Sequence, residues 1–323
     1  MKSSTRLVAP NLIPSHLWDP QALLLCIPNE LVDCYATVLK KRELTHLCTR
    51  NAKETAPIGG ISLDATNEHF AKAFDGSLAR CQLAVLDPLD KLGDVSNGVI
   101  RCLAGNQVVV LDAPCGAAAA VLSILCTIAE LRKSRIIPRL PLTIKLVAGD
   151  LSPYAIQIAG EMFAEIRPTL ESEGIFIEEK FQNWNVTDKQ SNTELVQKMI
   201  RAASHTTKRL VMISNFSGLL ERERKRREAT PQLEELLRHA STHDGSIALW
   251  IEPDTNSAVG RGGLFQALRN FSTTTWNKFL KVVGWSDNHP CNSCSARFRD
   301  PVNSQHTPRV GVAIVHFELG HQQ

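Results

Sequence analysis

The sequence of 323 residues has little of several features that mark particular classes of protein. No apolar run approaches the roughly 18 residues that a membrane-spanning helix needs. The best candidate, residues 108–125, is interrupted by Asp112, Pro114 and Gly116. There is also no internal repeat and no low-complexity tract. We therefore expect a globular protein with a large core and no contact with a membrane.

Excess charge is also small, with 36 basic against 33 acidic residues and a net charge of +3 at pH 7. Such a weak basic excess permits a nucleic-acid partner but does not demand one. The nine cysteines are odd in number and irregularly spaced. With no apolar leader at the N-terminus, they predict free thiols and a cytoplasmic location.

Two regions differ in their hydrophobic pattern. Residues 1–104 show apolar positions at helical spacing and predict a helical N-terminal region, either a lid or a platform for a partner. Residues 105–323 alternate strands with helices, which predicts an α/β domain whose parallel sheet is covered on both faces. The candidate strands are residues 108–112, 143–148, 175–181, 209–214, 246–251, 296–298 and 309–318. The last has no helix after it, so it can enter the sheet antiparallel.

The stretch VVVLDAPCGAAAAVL, residues 108–122, predicts a strand, a turn and the start of a helix. In a parallel sheet the first strand-to-helix turn lies closest to a bound ligand. Pyrophosphate cofactors favour a turn with several glycines, and this one has only Gly116. A dinucleotide is therefore disfavoured. Asp150 ends the second strand, and Ser152 and Pro153 are well suited to begin the following helix.

Four segments resemble, in order and spacing, the motifs of the class I S-adenosylmethionine-dependent methyltransferases. They are LDAPCG, AGDLSP, FQNWNVTD and VMISNFSGLL, and the resemblance covers about residues 105–319. It implies a Rossmann-like seven-stranded methyltransferase sheet with an antiparallel last strand, and S-adenosyl-L-methionine (SAM) as cofactor. The first motif lacks its later glycines, and no NPPY-like or PC signature follows the fourth strand.

The same resemblance implies a set of cofactor-binding residues. Asp112 and Gly116 would bind the methionine part, Asp150 the ribose and Asn185 the adenine, while Asn215 would face the methyl acceptor. No catalytic residue is assigned, and we expect Cys115 to be a small buried residue rather than a nucleophile. The full predicted set is Asp112, Ala113, Cys115, Gly116, Asp150, Leu151, Asn185, Val186 and Asn215.

A weaker resemblance involves LWIEPDTNSAVGRGGLFQALR and HPCNSCSARF, which are similar to methyltransferase-like proteins that assist assembly of the small ribosomal subunit. Those relatives bind a metal cluster through cysteines, of which only Cys291 and Cys294 have counterparts here. A tetrahedral site needs four ligands, so His289, His306 or a distant cysteine would have to complete the set. We predict no metal, with Cys291, Cys294 and His289 as the candidates if one is bound.

Two functions therefore stay open. The first is a SAM-dependent methyltransferase acting on RNA or a ribosome-associated target. The second is an inactive methyltransferase-fold protein that binds RNA or forms part of a protein complex. The run ERERKRRE, residues 221–228, has the four-residue charge spacing of a solvated helix but could also meet phosphates. The oligomeric state is not predicted.

Overall fold

A computed structural model describes residues 6–49, 57, 59–204, 207–240, 245–254 and 292–319. The helices are α1 Asn29–Lys41, α2 Leu63–Leu86, α3 Val95–Cys102, α4 Ala119–Lys133, α5 Pro153–Ser172, α6 Lys189–Ala202, α7 Ser217–Arg222 and α8 Arg226–Ala240. The strands are β1 Trp18–Asp19, β2 Leu24–Leu25, β3 Asn106–Asp112, β4 Leu142–Asp150, β5 Ile175–Asn183, β6 Lys208–Ser214, β7 Ser246–Pro253, β8 Asn292–Phe298 and β9 Arg309–Leu319.

All nine strands form one sheet in the order β1-β2-β8-β9-β7-β6-β3-β4-β5. Strands β3 to β7 are parallel to one another. The chain builds from β3 outward through β4 to β5, then returns to the other side of β3 for β6 and β7, as in doubly wound folds. Strand β9 pairs antiparallel with both β7 and β8. The predicted α/β class and the antiparallel last strand are therefore confirmed.

The number of strands differs from the seven that we expected. The N-terminal region, predicted to be helical, also contains the hairpin of β1 and β2. Strand β2 adds to the sheet edge by pairing in parallel with β8, Leu24 opposite Arg297. A strand of two residues is too short to show an alternating pattern in the sequence. The partner of β2 in the sheet, β8, also lies more than 270 positions along the chain.

Helices cover both faces of the sheet, and β3 shows how its alternating side chains divide between them. Val108 and Val110 belong to a core shared with α1 to α5, whereas Val109 and Leu111 pack with α6 and α8. The N-terminal helices thus share one hydrophobic core with the sheet. The boundary that we placed after residue 104 stays a prediction.

Helix α2 is the N-terminal element most deeply joined to that core. Its residues Phe70, Phe74 and Leu78 are almost completely buried. It lies beside α4, where the Ser123 hydroxyl donates a 2.7 Å hydrogen bond to the Leu78 carbonyl oxygen. Among the described residues, no helix is both long enough and apolar enough to cross a membrane.

We expect opposite effects on stability from adding one methyl group at two glycines. A Cβ at Gly149 in β4 would lie 2.8 Å from the Trp184 Cβ, while a Cβ at Gly160 in α5 would meet nothing within 4 Å. Gly149→Ala should lower the free energy of unfolding by about 1–3 kcal/mol through overpacking. Gly160→Ala should raise it by about 0.5–1 kcal/mol through helix propensity. Urea unfolding measures both, and equal effects would contradict the packing around Trp184.

Candidate functional site

The sheet has one topological switch point, between β3 and β6, where the connections leave in opposite directions. Ligands of open α/β sheets bind at such a point, outside the carboxyl ends of the strands. The loop of residues 113–118 joins β3 to α4 at this place. Asp112 ends β3, Asp150 ends β4 and Asn215 follows β6, so the fold brings these three predicted site residues to one edge.

The loop uses most of its backbone N–H groups within the protein. Ala113 donates to the Met212 carbonyl oxygen at 3.1 Å, and Cys115 to that of Gly149 at 2.9 Å. Ala118 donates to the Cys115 carbonyl oxygen at 2.7 Å. The Gly116 N–H is taken by Asp150, and proline has no N–H to offer. A phosphate cradle needs such groups free and converging on the ligand, so this loop is not one.

Asp150 organises the edge through both of its carboxylate oxygens. Oδ2 accepts from the Gly116 N–H at 2.8 Å, which ties the loop after β3 to the end of β4. Oδ1 accepts from the Ser152 N–H at 2.8 Å, beside the start of α5. Burial raises the pKa of Asp150, while these hydrogen bonds oppose that shift. Further acceptance by Asp150, as a ribose would require, must use the remaining lone pairs.

Asp112 is the opposite case. Its side chain is fully buried, and neither carboxylate oxygen has a hydrogen-bond partner among the described residues. Burial raises the pKa of Asp112 well above its ordinary value, and the nearby negative charge of Asp150 raises it further. Asp112 has the same strand parity as Val110 and so points to the side of the sheet that carries α2 and α4.

Gly116 lies beside the acid that ends β4, because its N–H donates to Asp150. Its φ of +51° is a left-handed conformation that favours glycine. A Cβ placed there would meet no atom within 4 Å of the described residues, so the loop faces open space at this position.

The other predicted residues, in the loop, after β4 and after β5, differ in burial and in hydrogen bonding. Ala113 is buried, and Cys115 is a buried thiol whose pKa burial raises well above the ordinary value. Leu151 is 39% exposed, whereas Val186 is buried. The Asn185 Oδ1 accepts from the backbone N–H and the hydroxyl of Thr187, which leaves its amide N–H groups as the available donors.

Asn215 has both ends of its amide held by α2. Its Oδ1 accepts from the Arg80 guanidinium at 2.5 Å, and its Nδ2 donates to the Ser77 hydroxyl at 3.1 Å. Its φ of +54° is unusual for a residue with a side chain. The backbone N–H of Asn215 also donates to the Ile251 carbonyl oxygen on β7. The predicted acceptor-facing residue is therefore fixed by the N-terminal region.

Helix α2 crosses the edge of the sheet at which the parallel strands end. Near its start, the Thr66 hydroxyl lies 2.9 Å from the Ser152 hydroxyl, just past β4. Farther along, the pKa of the Cys81 thiol is raised first by burial and also by the charge of Asp112 on β3. Ser77 and Arg80 then reach Asn215 after β6, and Arg80 also reaches β9. One helix thus walls the switch point.

Sequence reasoning missed this polar face of α2. It carries His69, Ser77 and Arg80, and burial lowers the pKa of both His69 and Arg80 although each side chain stays partly exposed. Helical spacing places residues 69, 73, 76 and 80 on one face, which is the signal that the sequence did offer.

Glu252 at the end of β7 is a second buried acid that sequence reasoning missed. Its Oε1 accepts from the N–H groups of Phe216 and Ser217 and from the Trp250 indole, at 2.7–3.0 Å. Burial raises its pKa, and these donors oppose the shift. Unlike Asp112, Glu252 is fully engaged in holding the turn after β6.

The candidate metal ligands lie mostly beyond the described part of the chain, since His289 and Cys291 fall outside it. Cys294 lies on β8, is buried, and has a pKa raised to about 11, mainly by burial. Within the described ranges, no group of three or more metal-ligating side chains comes together.

The charged run of residues 221–228 spans the end of α7 and the start of α8. Glu221 forms an ion pair with Arg226, and Arg222 with Glu223. These pairs are at least partly exposed to solvent, and such contacts contribute little to stability.

No protein-family model matches the sequence, and no curated protein is similar to it. Among solved structures, the chain is similar to a precorrin-6y C5,15-methyltransferase from Geobacter metallireducens, with 10% identity and a TM-score of 0.34. The likeness covers 69% of this chain and 85% of the other. At these values it assigns neither a residue role nor an activity to this protein.

The uncompensated Asp112 predicts an unusual dependence of stability on pH. Because its pKa is raised on folding, the folded state holds its proton more tightly than the unfolded chain does. Its stabilising contribution is therefore complete below the unfolded pKa of about 4 and is lost as pH rises through the folded pKa. Asp112→Asn should be more stable than the wild type at pH 8, and this advantage should shrink on acidification toward pH 4.

Denaturant midpoints measured from pH 4 to 8 give the difference between variant and wild type. Asp33→Asn, which changes an exposed carboxylate on α1, is the matched control and should show no such trend. A difference for Asp112→Asn that is constant across the range would contradict an unpaired, raised-pKa carboxylate at residue 112.

Proposed function

We propose that this protein is a SAM-dependent methyltransferase that binds its cofactor over Asp112 at the switch point between β3 and β6. The observation that carries the proposal is the fully buried Asp112 carboxylate with no described hydrogen-bond partner. Burying such a charge without a partner is costly, so a cationic ligand at this place gains an interaction that the protein alone does not satisfy.

The chemistry of the site favours a cationic cofactor over a phosphorylated one. SAM carries a sulfonium and an ammonium group close together and has no phosphate. Asp112 and Asp150 place two acidic groups at the edge, and Gly116 leaves the adjoining space open. A pyrophosphate would meet two carboxylates and a loop whose N–H groups are already donated to protein oxygens. The same features therefore disfavour a nicotinamide dinucleotide.

The residues around this space suit methyl transfer by positioning alone. When bound, SAM supplies an electrophilic methyl group to an attacking acceptor atom. Asp112 would hold the cationic end, and Asp150 would fix the loop and meet the ribose. Asn215, clamped by Ser77 and Arg80, would face the acceptor. Helix α2 lies across this edge, and holding two reactants in line with water excluded accounts for a large share of a barrier.

The identity of the acceptor is a separate question. RNA or a ribosome-associated target stays a prediction, as do a protein-complex partner and a cytoplasmic location. The alternative of an inactive methyltransferase-fold protein has no described feature that favours it. Arg222 and Arg226 form ion pairs within the run of residues 221–228, and a phosphate-binding role for that run stays a prediction.

Calorimetric titration with SAM tests the proposal directly. Asp112 must be ionised to pair with a cation, and its pKa in the free protein is raised. Affinity should therefore rise with pH until the pH exceeds that pKa, and binding should release a proton, seen as a dependence of the heat on the buffer. Asp112→Asn should weaken binding by about 10- to 100-fold, the range for a lost charge-assisted hydrogen bond.

Asp33→Asn serves again as the control and should bind SAM like the wild type. NADH is the control ligand and should give no heat. Absence of binding at millimolar SAM, or tighter binding of NADH, would overturn the proposal. Mass spectrometry of the purified protein under native conditions provides an independent readout, because a tightly held cofactor is carried through purification.

A further inference from the structure

We propose that Arg80 of α2 binds the α-carboxylate of the cofactor, so that Asp112 and Arg80 together hold the two opposite charges of its amino-acid end. This inference rests on the proposed function and adds a residue from outside the segments that resemble methyltransferase motifs. It assigns the N-terminal region a direct part in binding the methyl donor.

The contacts of Arg80 leave much of its guanidinium available. Nε donates to the Gly311 carbonyl oxygen at 3.2 Å, and one terminal nitrogen donates to Asn215 Oδ1 at 2.5 Å. A guanidinium has five N–H donors in a planar fork that matches a carboxylate. The second terminal nitrogen has no hydrogen-bond partner in the part of the chain that the structure describes. Two contacts with neutral oxygens orient the fork without neutralising it.

The charge of Arg80 is likewise not cancelled by an ion pair within the described ranges. Glu252 and Asp75 are near enough to affect its pKa, but burial is the larger influence and lowers it. The Glu252 Oε1 already accepts three hydrogen bonds from other groups. The Asp75 Oδ1 accepts from the Gly76 N–H at 2.7 Å. A cation that is partly desolvated and not paired has most to gain from an anionic ligand.

Arg80 and the unpaired acid meet neighbouring strands at one edge of the sheet. Arg80 donates to Asn215, which follows β6, and the β6 residue Met212 pairs with Asp112 of β3. The edge therefore has a negative group on β3 and a positive group near the end of β6 and the start of β9. An α-amino acid carries its ammonium group and its carboxylate on the same carbon atom. The ammonium is opposite in charge to Asp112, and the carboxylate is opposite in charge to Arg80.

A ligand series that removes the carboxylate alone separates this role from a structural one. Decarboxylated SAM keeps the sulfonium, the ammonium and the nucleoside but has no carboxylate. The wild type should bind SAM more tightly than decarboxylated SAM by about 10- to 100-fold. Arg80→Met, which keeps an unbranched apolar stem, should lose that preference by weakening SAM binding while leaving decarboxylated SAM unchanged. Arg80→Lys keeps the charge without the fork and should retain part of the preference.

Ser77→Ala is the matched control for an indirect effect through Asn215. It removes the other hydrogen bond that α2 makes to that amide but leaves the charge of Arg80 in place. Ser77→Ala should therefore keep the preference for SAM over decarboxylated SAM. Thermal unfolding of each variant confirms that the helix is still packed.

The outcomes distinguish this inference from the proposed function. A wild type that binds neither ligand removes the proposed function and this inference with it. A wild type that binds both ligands equally supports the cofactor but overturns the role of Arg80. Equal weakening of both ligands in Arg80→Met also overturns it and makes Arg80 a positioning residue for Asn215. Unchanged SAM binding in that variant overturns it as well and moves the guanidinium to the acceptor side.

Discussion

The buried Asp112 carboxylate is the constraint on which the rest of the site depends. A carboxylate removed from water with no donor beside it is a liability that a stable fold normally avoids. The neighbouring Asp150 has hydrogen-bond donors, because two backbone N–H groups donate to its carboxylate oxygens at 2.8 Å. The absence of any such donor for Asp112 in the described residues leaves a local deficit that a ligand can relieve.

Helix α2 links that deficit to the folding of the whole protein. Its apolar side packs Phe70 and Leu78 into the shared core, while its polar side meets Ser152 and Asn215 at the strand ends. The wall of the site therefore cannot move without disturbing the core. A ligand that binds only the folded state would consequently stabilise the N-terminal region and the sheet together.

The sequence predicted the strand ends well and their tertiary partners poorly. Runs such as 108–112, bounded by an acid, placed Asp112 and Asp150 at one edge because parallel strands end on the same side. No local sequence pattern could show that a loop N–H group, that of Gly116, donates to a carboxylate oxygen of Asp150. The contact of Arg80 with Asn215 joins residues 135 positions apart, and only the path of α2 across the sheet creates it. The β1–β2 hairpin was missed because its pairing with β8 is equally distant.

The single glycine of the β3–α4 loop follows from the way in which the site presents its charges. Extra glycines let a backbone approach a pyrophosphate, whose oxygens need several converging N–H donors. Here the backbone N–H groups of the loop donate to Gly149, Asp150 and Met212. The groups left to bind a ligand are therefore side chains. Under the proposed function the side-chain carboxylates would bind a cation, and the loop needs glycine only at Gly116, where φ is +51° and the adjoining space is open. A loop with one glycine therefore suits an edge whose backbone N–H groups are already donated and whose strand ends carry two acids.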